Sequence, residues 1–396
     1  MEKARFKWVL RERNRKIAAK TEVFTEQQAR RVRSFHSSFK EYSPTPLIEL
    51  TSLAQHLGIK NLFVKDESYR FGLNAFKVLG GSFAIGSYIA NELGEDIDDL
   101  PYMRLVSDEV RSLLGSKTFI TTTDGNHGRG VAWTANRLKQ QAIVYMPQGS
   151  AAERLSNIRA EGAQAEITDM NYDDTVRYTS ELAQKNGWII VQDTAWDGYT
   201  RIPLWIMQGY MTMALEAYEQ LPVKPTHIFL QAGVGSLAGS VQGFFADIYG
   251  SSCPLTFIVE PKGADCLYQT AAANDGSLHS VTGRLETIMA GLANSIAWEI
   301  LGNLSDGFIS CPDYTAAQGM RILGNPLAGD TKVSAGESGA ATVGLVAEAM
   351  RDERLSDLKQ ALQLDENSVV LCFNTEGDTD KENYRRIVWD GAWGRE

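Results

Sequence analysis

Ser68-Tyr69-Arg70-Phe71-Gly72-Leu73-Asn74-Ala75-Phe76-Lys77-Val78-Leu79-Gly80-Gly81 is the stretch on which the reading of this chain turns. It follows the apolar run Leu62-Phe63-Val64, closed by Lys65-Asp66-Glu67, and precedes a helical apolar pattern through Phe83, Ile85, Tyr88 and Ile89. One lysine, Lys77, is set among Phe76, Val78 and Leu79, with Gly72, Gly80 and Gly81 close on both sides. Most lysines are solvated, so this setting calls for a reason. Two readings are open. The side chain can snorkel, keeping its ammonium in water. Alternatively it is a desolvated amine of lowered pKa, as carbonyl chemistry through a Schiff base requires.

Upstream, Tyr42 to Leu50 contains two prolines and reads as extended chain, and Thr51 to Leu57 as a short helix capped by Thr51. Downstream, Gly81 to Leu114 is helical apart from the acidic connection Asp96 to Pro101. Strand-like runs then recur at Thr118–Thr121, Ala142–Met146, Ala165–Ile167, Trp188–Val191, His227–Leu230, Leu255–Glu260 and Ser368–Phe373. Helical patterns through Arg154 and Ile158, over Tyr172–Lys185 and over Ile206–Tyr218 lie between them. This alternation predicts an α/β protein with mostly parallel sheets and helices on both faces.

The 396 residues suffice for two or three domains, and 43% apolar with 22% charged residues describes a soluble globular chain. A net charge of −10, with acids and bases interspersed, argues against nucleic acid or an anionic membrane as partner. No apolar stretch is long enough to span a bilayer. Met1 to Lys20, rich in Lys and Arg, reads as a basic surface arm or helix rather than a targeting segment, and the chain as cytoplasmic. Cys253, Cys266, Cys311 and Cys372 are far apart, which predicts reduced cysteines and no metal site.

Two further motifs carry chemistry. Gln231-Ala232-Gly233-Val234-Gly235-Ser236-Leu237-Ala238-Gly239 joins a strand to a helix, so its backbone N–H groups offer an anion site suited to phosphate. No Gly-Lys-Ser/Thr follows, which excludes a Walker loop. A dinucleotide fingerprint is a rival reading, with Gly233, Gly235 and Ala238 in place and Glu260 ending the next strand. Thr121-Thr122-Thr123-Asp124-Gly125-Asn126-His127-Gly128-Arg129-Gly130 sets an acid, an amide and an imidazole on one turn. Asp124 is there either a helix cap or a group with a chemical task. His36, His56, His227 and His279 read as surface or edge residues.

A lysine in apolar surroundings, a phosphate loop, an amide-bearing turn and the hydroxyl of Thr375 suit one ligand, pyridoxal 5′-phosphate (PLP). Its aldehyde goes to Lys77, its phosphate to Gly233–Gly239, its ring hydroxyl to Asn126 and its pyridine nitrogen to Thr375. The chain resembles the fold-type II PLP enzymes, the group of threonine dehydratase and the tryptophan synthase β chain, and within it the diaminopropionate ammonia-lyases. The resemblance covers about residues 25 to 392. Besides the motifs above it rests on Asp169-Met170-Asn171-Tyr172-Asp173-Asp174-Thr175, Gln192-Asp193-Thr194-Ala195-Trp196, Ser334-Ala335-Gly336-Glu337-Ser338-Gly339-Ala340 and Thr375-Glu376-Gly377-Asp378-Thr379-Asp380.

The resemblance implies a two-domain fold with the cofactor in the cleft, about 86–215 forming the small domain and 1–85 with 216–396 the large one. It implies Lys77 as the Schiff-base residue, Asp124 as a base and Asp193 in the substrate pocket. Gly233, Val234, Gly235, Ser236 and Leu237 would cradle the phosphate, with Asn126 and Thr375 at the ring. The implied reaction is α,β-elimination of 2,3-diaminopropionate, a small amino acid, to pyruvate and two ammonia by a homodimer. A hydroxyl at Thr375 cannot hold a pyridinium as a carboxylate can, which keeps the ring nitrogen largely neutral; Glu376 and Asp378 share its turn. The chain departs from the family after Gly291-Leu292-Ala293, where Asn294-Ser295-Ile296-Ala297-Trp298 replaces a longer Cys-Gly-Glu-Pro-rich segment. The alternatives are a serine/threonine dehydratase or β-replacement enzyme using the same cofactor, and the dinucleotide-dependent oxidoreductase.

Overall fold

The computed structural model describes residues 6–13, 21–281 and 293–394. Its strands, in chain order, are β1 Lys7–Leu10, β2 Leu47–Glu49, β3 Asn61–Asp66, β4 Thr118–Thr122, β5 Gln141–Met146, β6 Gln164–Ile167, β7 Ile189–Ile190, β8 His227–Gln231, β9 Leu255–Pro261, β10 Gly307–Cys311 and β11 Val369–Asn374. They build a seven-stranded sheet ordered β1-β10-β9-β8-β11-β3-β2 and a four-stranded sheet ordered β6-β5-β4-β7. The five central strands of the large sheet are parallel, with β1 and β2 as antiparallel edges. The small sheet is parallel throughout. This is the α/β architecture that the alternation of elements predicts.

Parallel strands covered on both faces need apolar residues at successive positions. In β8 every residue is buried. Ile228 and Leu230 enter one apolar cluster and Phe229 the other, on opposite faces of the sheet. Strand β11 alternates likewise, Leu371 and Phe373 against Val370 and Cys372. The small sheet lies wholly between Thr118 and Ile190. Positions 86 and 215 fall inside two long helices, Lys77–Leu93 and Arg201–Gln220.

Lys77 is not in a loop but is the first residue of its helix, and that helix is held by backbone contact. At Gly130 a Cβ would lie 2.9 Å from the N and Cα of Val78, and at Gly209 it would lie 2.3 Å from the carbonyl oxygen of Leu79. Only glycine allows either approach. The preceding loop takes positive φ at Phe71 (50°) and Asn74 (59°). A fully buried ion network anchors it: Arg70 to Glu67 at 2.8 Å and to Glu216 at 2.7 Å, and Lys65 to Glu216 at 2.8 Å. Thr45 joins, its hydroxyl donating to Glu67 at 2.6 Å.

Several local expectations are corrected. Thr51 is not the cap of its helix, whose N-cap is Leu50 with no side-chain bond. The first N–H groups are instead satisfied from a distance, Ser52 and Leu53 each donating to the Asp330 carboxylate at 2.8 Å. Within Met1 to Lys20, residues 7–10 form strand β1 rather than a free arm, while residues 1–5 and 14–20 lie outside the described residues. Strand β10 was not foreseen, because Gly307 and Ser310 dilute a short apolar run. His36 and His227 are buried, not at the surface. His36 bonds Thr212 at 2.7 Å and the Leu79 carbonyl at 3.0 Å, and burial pulls its pKa down to about 3. All four cysteines are free thiols. Among the described residues no helix is long and apolar enough to cross a membrane.

Candidate active site

The carboxyl ends of β4, β7, β8, β9, β10 and β11 open on one cavity of about 740 Å³. In the large sheet β8 leads outward to β9 and β10, while β11 and β3 lie on its other side, so a crevice opens at the adjoining ends of β8 and β11. Such a switch point is where open α/β sheets bind ligands. Lys77, Asp124, Asn126, Asp193, the Gly233–Leu237 loop and Thr375 all line this cavity. The residues singled out in the sequence therefore meet in one place.

Lys77 reaches the cavity with its side chain 25% exposed, and its ammonium is ion-paired with the carboxylate of Asp193. The Phe76 and Tyr210 rings lie 5.5 Å and 5.9 Å from the nitrogen. Burial is the largest single influence and disfavours the ammonium, but the charge and hydrogen bond of Asp193, with Tyr210 and Asp124, together raise the pKa of Lys77. The amine is thus partly buried as carbonyl chemistry requires, yet its pKa is not lowered, because a partner from a distant loop stabilises the charged form. Asp193 shows the converse balance: burial opposes its charge, while Lys77 and His127 hold its carboxyl down at about 2. Its backbone carbonyl accepts from Ser236 Oγ at 2.6 Å and Asn294 Nδ2 at 3.0 Å, which tethers the Asp193 loop to the glycine-rich turn.

That turn runs from the end of β8 into the helix Ser236–Tyr249, with Gly235 at φ 96°. Among the described residues no protein acceptor meets the N–H groups of residues 233–237. These are donors for an anion at a helix N-terminus. The Ser236 hydroxyl is engaged with Asp193 and Asn294, so that residue can offer its backbone N–H. Glu260, the acid of the dinucleotide reading, is engaged elsewhere. Its carboxylate accepts from the N–H groups of Leu267 at 3.0 Å and Tyr268 at 2.7 Å, at the start of the helix Cys266–Ala273, and burial pushes its pKa well up. It is a cap rather than a ribose ligand.

Asp124 is not a cap. The helix Asn126–Arg137 has Gly125 at its N-cap with no side-chain bond. Asp124 pairs instead with Arg154 Nη1 at 3.0 Å, its own side chain 31% exposed. A Cβ at position 125 would lie 2.9 Å from Arg154 Cδ, so glycine lets the arginine stem cross the turn. Burial raises the Asp124 pKa, with Arg154 opposing. His127 bonds the Val191 carbonyl through Nε2 at 2.7 Å, which places a proton there, and burial lowers its pKa, with the Asp193 charge opposing.

At the end of β11, Thr375 Oγ1 accepts from Gln231 Nε2 at 2.9 Å. Glu376 accepts from Asn126 Nδ2, and burial raises its pKa. Asp378 instead accepts from Asn74 Nδ2 at 3.1 Å. Of the two acids in that turn, Glu376 lines the cavity and Asp378 does not. Arg154, Gln231 and Asn294 were not singled out as site residues. In the sequence Arg154 is only part of a helical pattern with Ile158, with nothing local to mark it as a site residue. Gln231 carries a signal, one amide ending an apolar strand directly before the glycine-rich turn.

The donor set fits PLP: an amine for the aldehyde, a row of free N–H groups for the phosphate, and a hydroxyl donor at the ring. The comparisons agree. The pyridoxal-phosphate dependent enzyme family matches residues 39–375. Diaminopropionate ammonia-lyase of Escherichia coli (strain K12) is 49% identical over 377 residues, covering 93% of this chain and 93% of that protein. The crystal structure of holo diaminopropionate ammonia-lyase from Escherichia coli matches with a TM-score of 0.93 at 45% identity, covering 100% of this chain and 99% of that one. The same enzyme in complex with an aminoacrylate-PLP azomethine reaction intermediate matches with a TM-score of 0.90 at 45% identity, covering 100% of both chains. The chain belongs to the pyridoxal-phosphate dependent enzymes, among the diaminopropionate ammonia-lyases.

Proposed function

We propose that this chain catalyses the PLP-dependent α,β-elimination of 2,3-diaminopropionate to pyruvate and two molecules of ammonia. The observation that carries the reading is that Lys77, the Gly233–Leu237 N–H groups and Thr375 share one cavity with two carboxylates, Asp124 and Asp193. PLP, when bound, supplies the electron sink that makes the substrate's α-proton acidic. Lys77 would hold the aldehyde and the Gly233–Leu237 N–H groups the phosphate, with Thr375 the group for the ring nitrogen and Asn126 for the ring hydroxyl. Asp193 keeps the Lys77 nitrogen in place and its carboxylate balances the positive charge there. Lys77 and Asp124 are the groups that remove α-protons, each from its own side of the substrate.

Residues 86–215 serve as the smaller domain and the flanking segments as the larger, a reading supported by the separate four-stranded sheet. The chain works as a cytoplasmic homodimer; exposed Met103 and Leu113, 72% and 68% accessible on neighbouring short helices, support a partner surface. The test is pyruvate release from both enantiomers of diaminopropionate, from serine and from threonine, alongside the visible absorbance of purified protein. Fastest turnover of diaminopropionate supports the assignment. Faster turnover of serine or threonine replaces it with a dehydratase, and colourless protein that no PLP restores overturns the cofactor.

A further inference from the structure

We propose that Gln231 is a positioning residue that fixes the direction of the Thr375 hydroxyl and thereby keeps the cofactor's ring nitrogen unprotonated; the inference rests on the PLP reading above. Gln231 ends β8 and Thr375 follows β11, side by side at the crevice, 6% and 3% exposed. Gln231 Nε2 donates to the carbonyl of Phe373 at 2.8 Å and to Thr375 Oγ1 at 2.9 Å. A primary amide nitrogen has two protons, and both are used here. Turning the amide over would set its oxygen against the Phe373 carbonyl, two acceptors face to face. The backbone therefore decides the orientation.

The consequence falls on Thr375. A free hydroxyl donates or accepts as its neighbour demands. Here one lone pair is already committed to Gln231, and among the described residues no acceptor takes the hydroxyl proton. A ligand nitrogen with a lone pair satisfies that proton. A pyridinium N–H would have to use the remaining lone pair, stranding the hydroxyl proton in a buried place. Stranding a buried donor disfavours that state on the order of ten-fold or more. Thr375 alone does not impose the preference; Gln231 removes the alternative.

The test is holoenzyme reconstituted with PLP carrying ¹⁵N in the ring, its nitrogen resonance followed by NMR across the pH range in which the protein is folded. Wild-type protein should show the neutral pyridine throughout. Gln231→Met keeps the side-chain volume but has no donor, and should let the nitrogen titrate, with pyridinium growing as pH falls. Thr375→Val should do the same, and the double variant should go no further. A pyridinium in the wild type or an unchanged resonance in Gln231→Met would overturn the proposal. Should Gln231→Met fail to fold, Gln231→Leu, which also lacks a donor and sets no oxygen against the Phe373 carbonyl, takes its place; a wild-type resonance there refutes the role. Wild-type protein that binds no PLP overturns the functional reading itself, an outcome separate from all of these.

Discussion

Lys77 and Asp193 form an ion pair across 116 positions of sequence, and that pair joins the main parts of the site. Lys77 starts a helix pinned by Gly130 and Gly209, while Asp193 follows β7 of the small sheet and hangs from Ser236 and Asn294. Small sheet, large sheet and amine are thus connected through one residue, Asp193, whose carboxylate takes Lys77 and whose backbone carbonyl takes Ser236 and Asn294. Removing Lys77 should leave the scaffold intact, since its backbone is held by glycine contacts and not by its side chain. We expect Lys77→Ala to fold, to lose covalent PLP and to lose elimination activity. Mass spectrometry after borohydride reduction should find no PLP adduct, and a wild-type adduct would refute the assignment.

The same pair predicts a pH dependence in the apoprotein. Asp193 has its pKa depressed to about 2, so its stabilisation is present above the ordinary carboxylate value near ~4 and is lost as pH falls through about 2. Lys77 has its pKa raised, so its share is present below the ordinary lysine value near ~10.4 and is lost as pH rises through the folded one. Between those limits Asp193→Asn should cost about 2 kcal/mol. Denaturant unfolding of both apoproteins at neutral pH and near pH ~3 checks this: the gap should shrink at the lower pH. A gap that stays constant or widens would mean that charge is not the cause.

Gly235 shows where sequence reading succeeded and where it stopped. A glycine-rich turn between strand and helix is legible, because only backbone N–H groups at a helix start make that anion site. The direction of an added side chain is not legible. A Cβ at position 235 would point away from a ligand, toward Leu301 (3.2 Å), Ala297 (3.3 Å) and Leu267 (3.3 Å), with φ at 96°. Gly235→Ala should therefore act through strain and packing, destabilising the fold by about 1–2 kcal/mol. PLP binding should weaken only as the turn shifts. Calorimetry with and without PLP separates this from direct obstruction, which would lower affinity and leave the apoprotein melting temperature unchanged.

The limits elsewhere have the same origin. The β-α alternation was readable because strands covered on both faces need continuous apolar runs. Strand β10 escaped because Gly307 and Ser310 interrupt its pattern, and β1 because two of its four residues are exposed. Lys65, Glu67, Arg70 and Glu216 carry no local mark of burial in the sequence, yet they neutralise one another inside the fold. Nothing local marks a charge whose partner arrives from about 150 residues away. Arg154, whose partner Asp124 lies 30 positions away and outside its helix, carries no local mark either.

Asp124 is where these arguments meet. From the sequence it is either a helix cap or an acid with a task, and the structure removes the cap: Gly125 holds that position and Asp124 faces Arg154. Losing a cap costs about 1 kcal/mol of stability, whereas losing a general base costs roughly 10²–10⁴-fold in rate. An α-proton can be taken only from the face toward which it points. If Lys77 serves one face and Asp124 the other, Asp124→Asn should lose two or more orders of magnitude on one enantiomer of diaminopropionate, the D form, and far less on the other. PLP binding and melting temperature should stay near wild type. The carboxylate must be ionised to act, and burial raises its pKa. Activity on the D enantiomer should therefore fall as pH drops through a value above the ordinary aspartate range. Arg154 opposes that rise, so Arg154→Met should move the acidic limb to higher pH for the D enantiomer only. Rate constants for both enantiomers against pH, in wild type and the two variants, check every part of this. Equal small losses on both enantiomers with a lower melting temperature would make Asp124 a structural residue.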